Sequence, residues 1–146
     1  MSSFYLLDPE VAGELGPHSV VDRSVRPAVA SKVEYAFSEW VGDELITATP
    51  AFLVTGDLAD TLLRSNLTGF EIREATITLS EEGEEMIGDL SSLPPFKWLA
   101  ITGVGGQEDF GLVYPTRLVV SSAAMDLLNT RQLPRCDVAP YRPAVE

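Results

Sequence analysis

The sequence predicts an α+β fold: one domain over residues 1–146, with a mixed or mostly antiparallel sheet, two main helices and a short acidic helix. Three observations predict it. Short apolar runs with the two-residue period of strands recur along the chain, as in Val33-Glu34-Tyr35-Ala36-Phe37. Hydroxyl residues stand just before two segments with helical apolar spacing. A length of 146 residues with 45% apolar content suits one domain with its own core.

The elements follow in order. Phe4-Tyr5-Leu6-Leu7 reads as a strand stopped by Asp8-Pro9, and Glu10 to Pro17, with Gly13 and Gly16, as a loop. Ser19-Val20-Val21 is a short strand, and Arg23 to Ala30, holding Pro27, a connection. Val33 to Phe37 is a half-buried strand. Ala51-Phe52-Leu53-Val54 is apolar throughout, which marks a central strand. Thr55 then caps a helix from Gly56 to about Ser65, with Leu58, Ala59, Leu62 and Leu63 on its apolar face.

Gly69 to Leu79 reads as one strand whose parity slips near Arg73-Glu74, a bulge or bend. Ser80 caps an acidic helix over Glu81 to Asp89, with Glu81 and Glu82 in the first turn, where the helix dipole favours them. Phe96 to Ile101 is a strand, and Gly103-Val104-Gly105-Gly106 a hairpin loop. Strands follow at Phe110 to Tyr114 and Leu118 to Val120. Ser121 or Ser122 caps a helix to about Arg131, and Cys136-Asp137-Val138 is a last short strand before a proline-rich tail.

Phe52 to Ile72 aligns without gaps on Leu118 to Val138, an offset of 66 residues. Val54 meets Val120, Thr55 meets Ser121, Asp60 meets Asp126, and Leu62 meets Leu128. Two readings are open: an internal strand–helix–strand repeat, or two unrelated units with one generic pattern.

The net charge is −12. Such a chain lacks the cationic face that nucleic acid or an anionic membrane needs. It suits a basic protein partner, although acidity also serves solubility. The acidity is regional. Glu34 to Asp60 holds six acids and no Lys or Arg, and Glu71 to Asp89 holds seven acids and one Arg. Trp40 lies within Glu39-Trp40-Val41-Gly42-Asp43-Glu44, an aromatic among acids. It is either a binding anchor or a core residue. The candidate partner-binding residues are Glu39, Trp40, Asp43, Glu44, Glu81, Glu82, Glu84, Glu85, Glu108 and Asp109.

Candidates for chemistry are few. His18 is the sole histidine and Cys136 the sole cysteine, so a histidine cluster and an internal disulfide are both excluded. Their surroundings match no nucleophile motif, and Cys136 reads as a small buried hydrophobe on a strand. The glycines at 103, 105 and 106 lack dinucleotide-binding spacing. Glu108-Asp109 lacks the alternating oxygens of a calcium loop. The expectation is no catalytic residue, no metal and no cofactor. The alternative is a small enzyme or ligand-binding domain with a carboxylate-based or Cys136-based site. The first residues lack the basic and apolar regions of a signal peptide, and no run reaches membrane-spanning length, so a cytoplasmic protein is expected.

Several segments carry a family likeness: Tyr5-Leu6-Leu7-Asp8-Pro9, Leu93-Pro94-Pro95-Phe96-Lys97-Trp98-Leu99, Asp109-Phe110-Gly111-Leu112, Leu118-Val119-Val120-Ser121-Ser122 and Leu133-Pro134-Arg135-Cys136-Asp137-Val138. Across most of its length the chain resembles the small immunity proteins of bacterial polymorphic toxin systems. The resemblance implies a protein that binds a cognate toxin domain and blocks it inside the producing cell. It implies no fixed binding residues, since each such protein suits its own toxin.

Overall fold

The structure, a computed structural model, describes residues 3–142. In chain order the elements are β1 (Phe4–Asp8), β2 (Gly13–Leu15), β3 (Val20–Asp22), β4 (Val29–Lys32), β5 (Glu34–Phe37), β6 (Leu45–Ala48), β7 (Ala51–Thr55) and α1 (Gly56–Arg64). There follow β8 (Phe70–Arg73), β9 (Thr76–Leu79), α2 (Glu81–Met86), a 3-10 turn (Leu90–Ser92), β10 (Phe96–Ile101), β11 (Phe110–Val113), β12 (Arg117–Ser121), α3 (Ser122–Leu128) and β13 (Asp137–Tyr141). The fold is α+β and strand-rich, with mainly antiparallel sheets and three helices.

Two four-stranded sheets form the centre, ordered β11-β12-β1-β13 and β6-β7-β10-β8. A three-stranded sheet, β2-β5-β9, and the hairpin β3-β4 flank them. The β5–β9 pair is parallel, and the other ladders are antiparallel.

The apolar run at Ala51–Val54 is explained by burial on both faces. Phe52 and Val54 enter a core with Leu58 and Leu62 of α1, Leu118 and Val120 of β12, and Leu128 of α3. Ala51 and Leu53 turn the other way, into a core with Tyr35, Phe37, Phe96 and Trp98. Each helix begins at a hydroxyl cap: Thr55 accepts from Leu58 N, Ser80 from Gly83 N, and Ser121 from Ala124 N.

Several expectations are corrected. The loop expected over Glu10 to Pro17 contains β2, and the connection expected over Arg23 to Ala30 ends in the first residues of β4. β6 carried no expected strand. The single strand expected over Gly69 to Leu79 is two, β8 beside β10 and β9 beside β5, so the parity slip marks a change of sheet. The loop at Gly103–Gly106 joins strands of two different sheets and closes no hairpin. Leu63, expected on the buried face of α1, is 62% exposed. β5 is not half-buried, since Glu34 lies beneath the surface with Tyr35 and Phe37. The acidic helix ends at Met86 and the last helix at Leu128, both short of expectation. Cys136 is half-buried and immediately precedes β13. The last four residues of the expected proline-rich tail lie outside the described residues.

The two central sheets match in detail. Shifted by the offset of the sequence alignment, Ala51–Thr55 of β7 falls on Arg117–Ser121 of β12. The buried Leu58, Ala59 and Leu62 of α1 fall on Ala124, Met125 and Leu128, the buried residues of α3. β10 and β1 occupy equivalent places. Trp98, Leu99 and Ala100 pair with Arg73, Ile72 and Glu71, while Leu6, Leu7 and Asp8 pair with Ala139, Val138 and Asp137, the same three positions. The two helix starts are tied alike, Gly56 N–H donating to Pro95 O at 2.8 Å and Ser122 N–H to Ser3 O at 3.0 Å.

Candidate functional site

The acidic segments separated in sequence meet in space. α2 packs on the end of β5: Ser80 N–H donates to Phe37 O at 3.0 Å, and the Ser38 and Ser80 hydroxyls are 2.8 Å apart. A Cβ on Gly83 would overlap the Phe37 carbonyl oxygen, so only glycine lets the helix approach this closely. Glu39 is the next residue after Ser38, and it is exposed, as are Glu81, Glu82, Glu84 and Glu85.

Trp40 continues this surface inward. Its indole N–H donates to Asp43 O at 2.7 Å, and its ring meets Phe96 edge-on at 5.9 Å. The residue is half-buried, combining the core and surface roles. It lines a groove of about 500 Å³ with Pro94, Pro95, Asp57, Asp60 and Arg131. α2 thus bonds to the chain at Phe37 and Ser38, and the groove begins at Trp40, two residues further on.

Asp43 and Glu44 do different work. Asp43 is fully buried, with Oδ2 accepting from Arg135 N–H at 3.0 Å and Oδ1 unpartnered, so it presents nothing to a partner. Glu44 is a clasp. Its Oε1 pairs with Arg131 Nη2 at 2.6 Å and accepts from the Thr55 hydroxyl at 2.9 Å, while Oε2 accepts from Gln132 N–H at 3.0 Å. Burial pushes its carboxyl up, but the bonds from Arg131, Gln132 and Thr55 outweigh this and hold it below the usual glutamate value.

Asp109 makes the corresponding clasp in the other sheet. Its Oδ1 accepts from the Ser121 hydroxyl at 2.7 Å and its Oδ2 from Thr68 N–H at 2.9 Å. Each carboxylate therefore holds the cap residue of its own helix and reaches the segment after the other helix. Asp109 forms this second clasp, and its exposed neighbour Glu108 takes no part in it; neither residue is on α2.

Two of the ten basic residues share a cleft of their own. Arg23 and Arg26 line a cleft with Thr49, Pro115 and Thr116, at the turns preceding β7 and β12. β7 runs from that end to Thr55 at the acidic end. A strand of this length, at roughly 3.3 Å per residue, separates the two ends by about 13 Å.

His18 and Cys136 have separate partners. His18 Nδ1 lies 2.9 Å from Oε2 of the buried Glu34, and its backbone N–H donates to Oε1 at 3.1 Å. The side-chain bond from His18, followed by its backbone bond, holds the Glu34 carboxyl below the usual value. The Cys136 thiol is pushed up to about 11, first by burial and then by the nearby Asp43 carboxylate. At neutral pH it is a thiol, which disfavours a nucleophilic role. Among the described residues no group of three or more His, Cys, Asp or Glu is placed to hold a metal ion, and no helix is long and apolar enough to cross a membrane.

Asp57, Asp60, Pro94, Pro95 and Arg131 belong to this surface but were not candidates from sequence. The aspartates carried a signal, as the end of the acid run from Glu34. The proline pair read only as a stop, and nothing local to Arg131 announces a partner 87 positions away. Comparison with known protein families, curated proteins and solved structures finds no match.

Proposed function

We propose that this chain is an immunity protein, which binds a cognate bacterial toxin domain stoichiometrically and neutralises it in the cytoplasm of the producing cell. The observation that carries the reading is the joining of two acidic segments distant in sequence: Ser80, at the start of α2, bonds to Phe37 and Ser38 just before Glu39 and the Trp40 groove, while Arg23 and Arg26 line a separate cleft. A protein polarised in this way steers a basic partner onto its acidic end and repels it from the other. The half-buried tryptophan supplies the apolar anchor such a contact needs. The reading requires no cofactor, metal or nucleic acid. It treats the chain as one domain built from two like halves, supported by the matched registers of the two central sheets and their reciprocal clasps.

The test is purification of the tagged chain from its native cells, with mass spectrometry of the bound protein. The expected partner binds one-to-one and is toxic when expressed alone. Its association slows with added salt and slows further when Glu39, Glu81, Glu82, Glu84 and Glu85 are changed to lysine. A stoichiometric partner that harms no cell would refute neutralisation. A toxic partner whose association ignores both salt and these substitutions would refute the acidic surface.

A further inference from the structure

We infer that the groove at the start of α1 is an anchor site for one arginine side chain of a protein partner. The inference rests on the proposed binding role and specifies what that surface recognises. The lining has two parts. Asp57 and Asp60 stand three residues apart on α1, both exposed and neither in an ion pair among the described residues. Residues at that spacing are neighbours on one helix face, so two carboxylates flank the groove together. Trp40 and the Pro94-Pro95 pair form the apolar part.

Flat apolar walls beside paired carboxylates fit a guanidinium better than an ammonium. A guanidinium stacks on an indole and presents a fork of N–H donors to carboxylate oxygens. Arg131, the groove's own cation, is bonded to Glu44 at 2.6 Å and also feels the Asp57 carboxylate, so it is outnumbered by the groove's three carboxylates, Glu44, Asp57 and Asp60. The space of about 500 Å³ admits the side chain with some of its flanking backbone.

The matched half of the fold supplies a comparison within one molecule. The clasp and cap bonds recur there: Asp109 stands for Glu44, Ser121 for Thr55, and Ser3 for Pro95. The groove lining does not recur. Counted back from the matched pair Leu45 and Phe110, which face Val54 and Val120, Trp40 falls on Gly105; Asp57 falls on Ala123 by the alignment offset, and only Asp126 repeats Asp60. The features shared by both halves hold the fold. Trp40 and Asp57 are confined to the first half, where with Asp60 they make the recess acidic and aromatic-walled.

The experiment titrates the full chain with hexa-arginine peptide at about 150 mM salt, where long-range attraction is screened beyond roughly 8 Å. The indole N–H resonance of Trp40 reports occupancy by NMR. We expect that resonance to shift on binding, and the double variant Asp57→Asn/Asp60→Asn to bind about tenfold more weakly. Removing four charges from α2, as Glu81→Gln, Glu82→Gln, Glu84→Gln and Glu85→Gln, weakens it less than about threefold. Equal weakening by both sets would overturn the groove in favour of diffuse attraction. An unmoved Trp40 resonance would also overturn it, and equal binding of hexalysine would overturn the choice of arginine. The two proposals fail separately. A toxin bound normally by the Asp57→Asn/Asp60→Asn variant removes the groove and keeps the immunity role. A groove that takes the peptide in a chain without a toxin partner does the reverse.

Discussion

Replacing Glu44 by glutamine tests whether the start of β6 is held to the cap of α1 and the segment after α3 by a charge or merely by shape. The substitution keeps the side chain's length and one acceptor oxygen. It removes the charge from the Arg131 pair at 2.6 Å, and its amide must turn donors toward either Arg131 and Thr55 or the Gln132 N–H. The pair's side chains are only 23% and 14% exposed, so solvent replaces the lost bonds poorly. A charge-assisted bond in such a place contributes about 1.5–3 kcal/mol, and we take about 2 kcal/mol as the expected loss. For a chain near this size that corresponds to a fall in Tm of about 4–8 °C.

The acid limb carries a second signature. The Glu44 carboxyl titrates below its unfolded value of 4.5. Its contribution is therefore complete above that value and is lost as the pH falls through the lower, folded one. Urea denaturation followed by circular dichroism, repeated from pH 7 to pH 3, measures both. The variant should show the full loss at neutral pH and converge on the wild type in acid. A neutral-pH loss below about 0.5 kcal/mol would place Glu44 among ordinary surface ion pairs and refute the clasp.

Three further outcomes follow from the same geometry. Asp109→Asn should destabilise by about 1–2 kcal/mol, since it breaks the equivalent bonds to Ser121 and Thr68 without breaking an ion pair, and its effect should add to that of Glu44→Gln in the double variant. Gly83→Ala should destabilise by at least about 2 kcal/mol in thermal melts, against the gain of up to about 1 kcal/mol that helix propensity alone predicts, because the new methyl meets the Phe37 carbonyl oxygen. Cys136, with its thiol near 11, should react with Ellman's reagent at pH 7.5 at least about tenfold more slowly in the native chain than in urea; equal rates would contradict its burial.

The parts of the fold readable from sequence were those with local causes. Thr55, Ser80 and Ser121 cap their helices because the hydroxyl and the orphan N–H lie within a few residues of each other. The apolar runs at Ala51–Val54 and Leu118–Val120 are buried on both faces, so they lack alternation yet remain conspicuous. β6 is not legible because Leu45-Ile46-Thr47-Ala48 follows acids and precedes Thr49-Pro50, so no periodicity sets it apart; its strand character comes from pairing with β7. β8 and β9 were fused because a change of sheet and a bulge shift side-chain parity in the same way. The site divides similarly. Composition pointed to Glu39 and the α2 glutamates, but Asp43 and Glu44 have the same composition and opposite fates. The difference lies in Arg131, Gln132 and Arg135, which only the folded chain brings beside them.

β1 has a consequence for how the protein is made. It lies between β12 and β13, with Phe4 opposite Ser121 on one side and Tyr141 on the other. A ribosome adding about 5–20 residues per second delivers those partners on the order of ten seconds after β1 itself. Until then Phe4-Tyr5-Leu6-Leu7 is an apolar segment with two open edges, the kind of segment that other chains pair with. All four strands of the sheet β6-β7-β10-β8 have been made by Ile101 and can pair earlier, although one of their faces packs on Leu118, Val120 and Leu128 only later. Synthesis therefore leaves the opening strand without either neighbour for longer than any strand of the β6-β7-β10-β8 sheet, and a helper that shelters this segment should raise the yield of folded protein more than one acting after release.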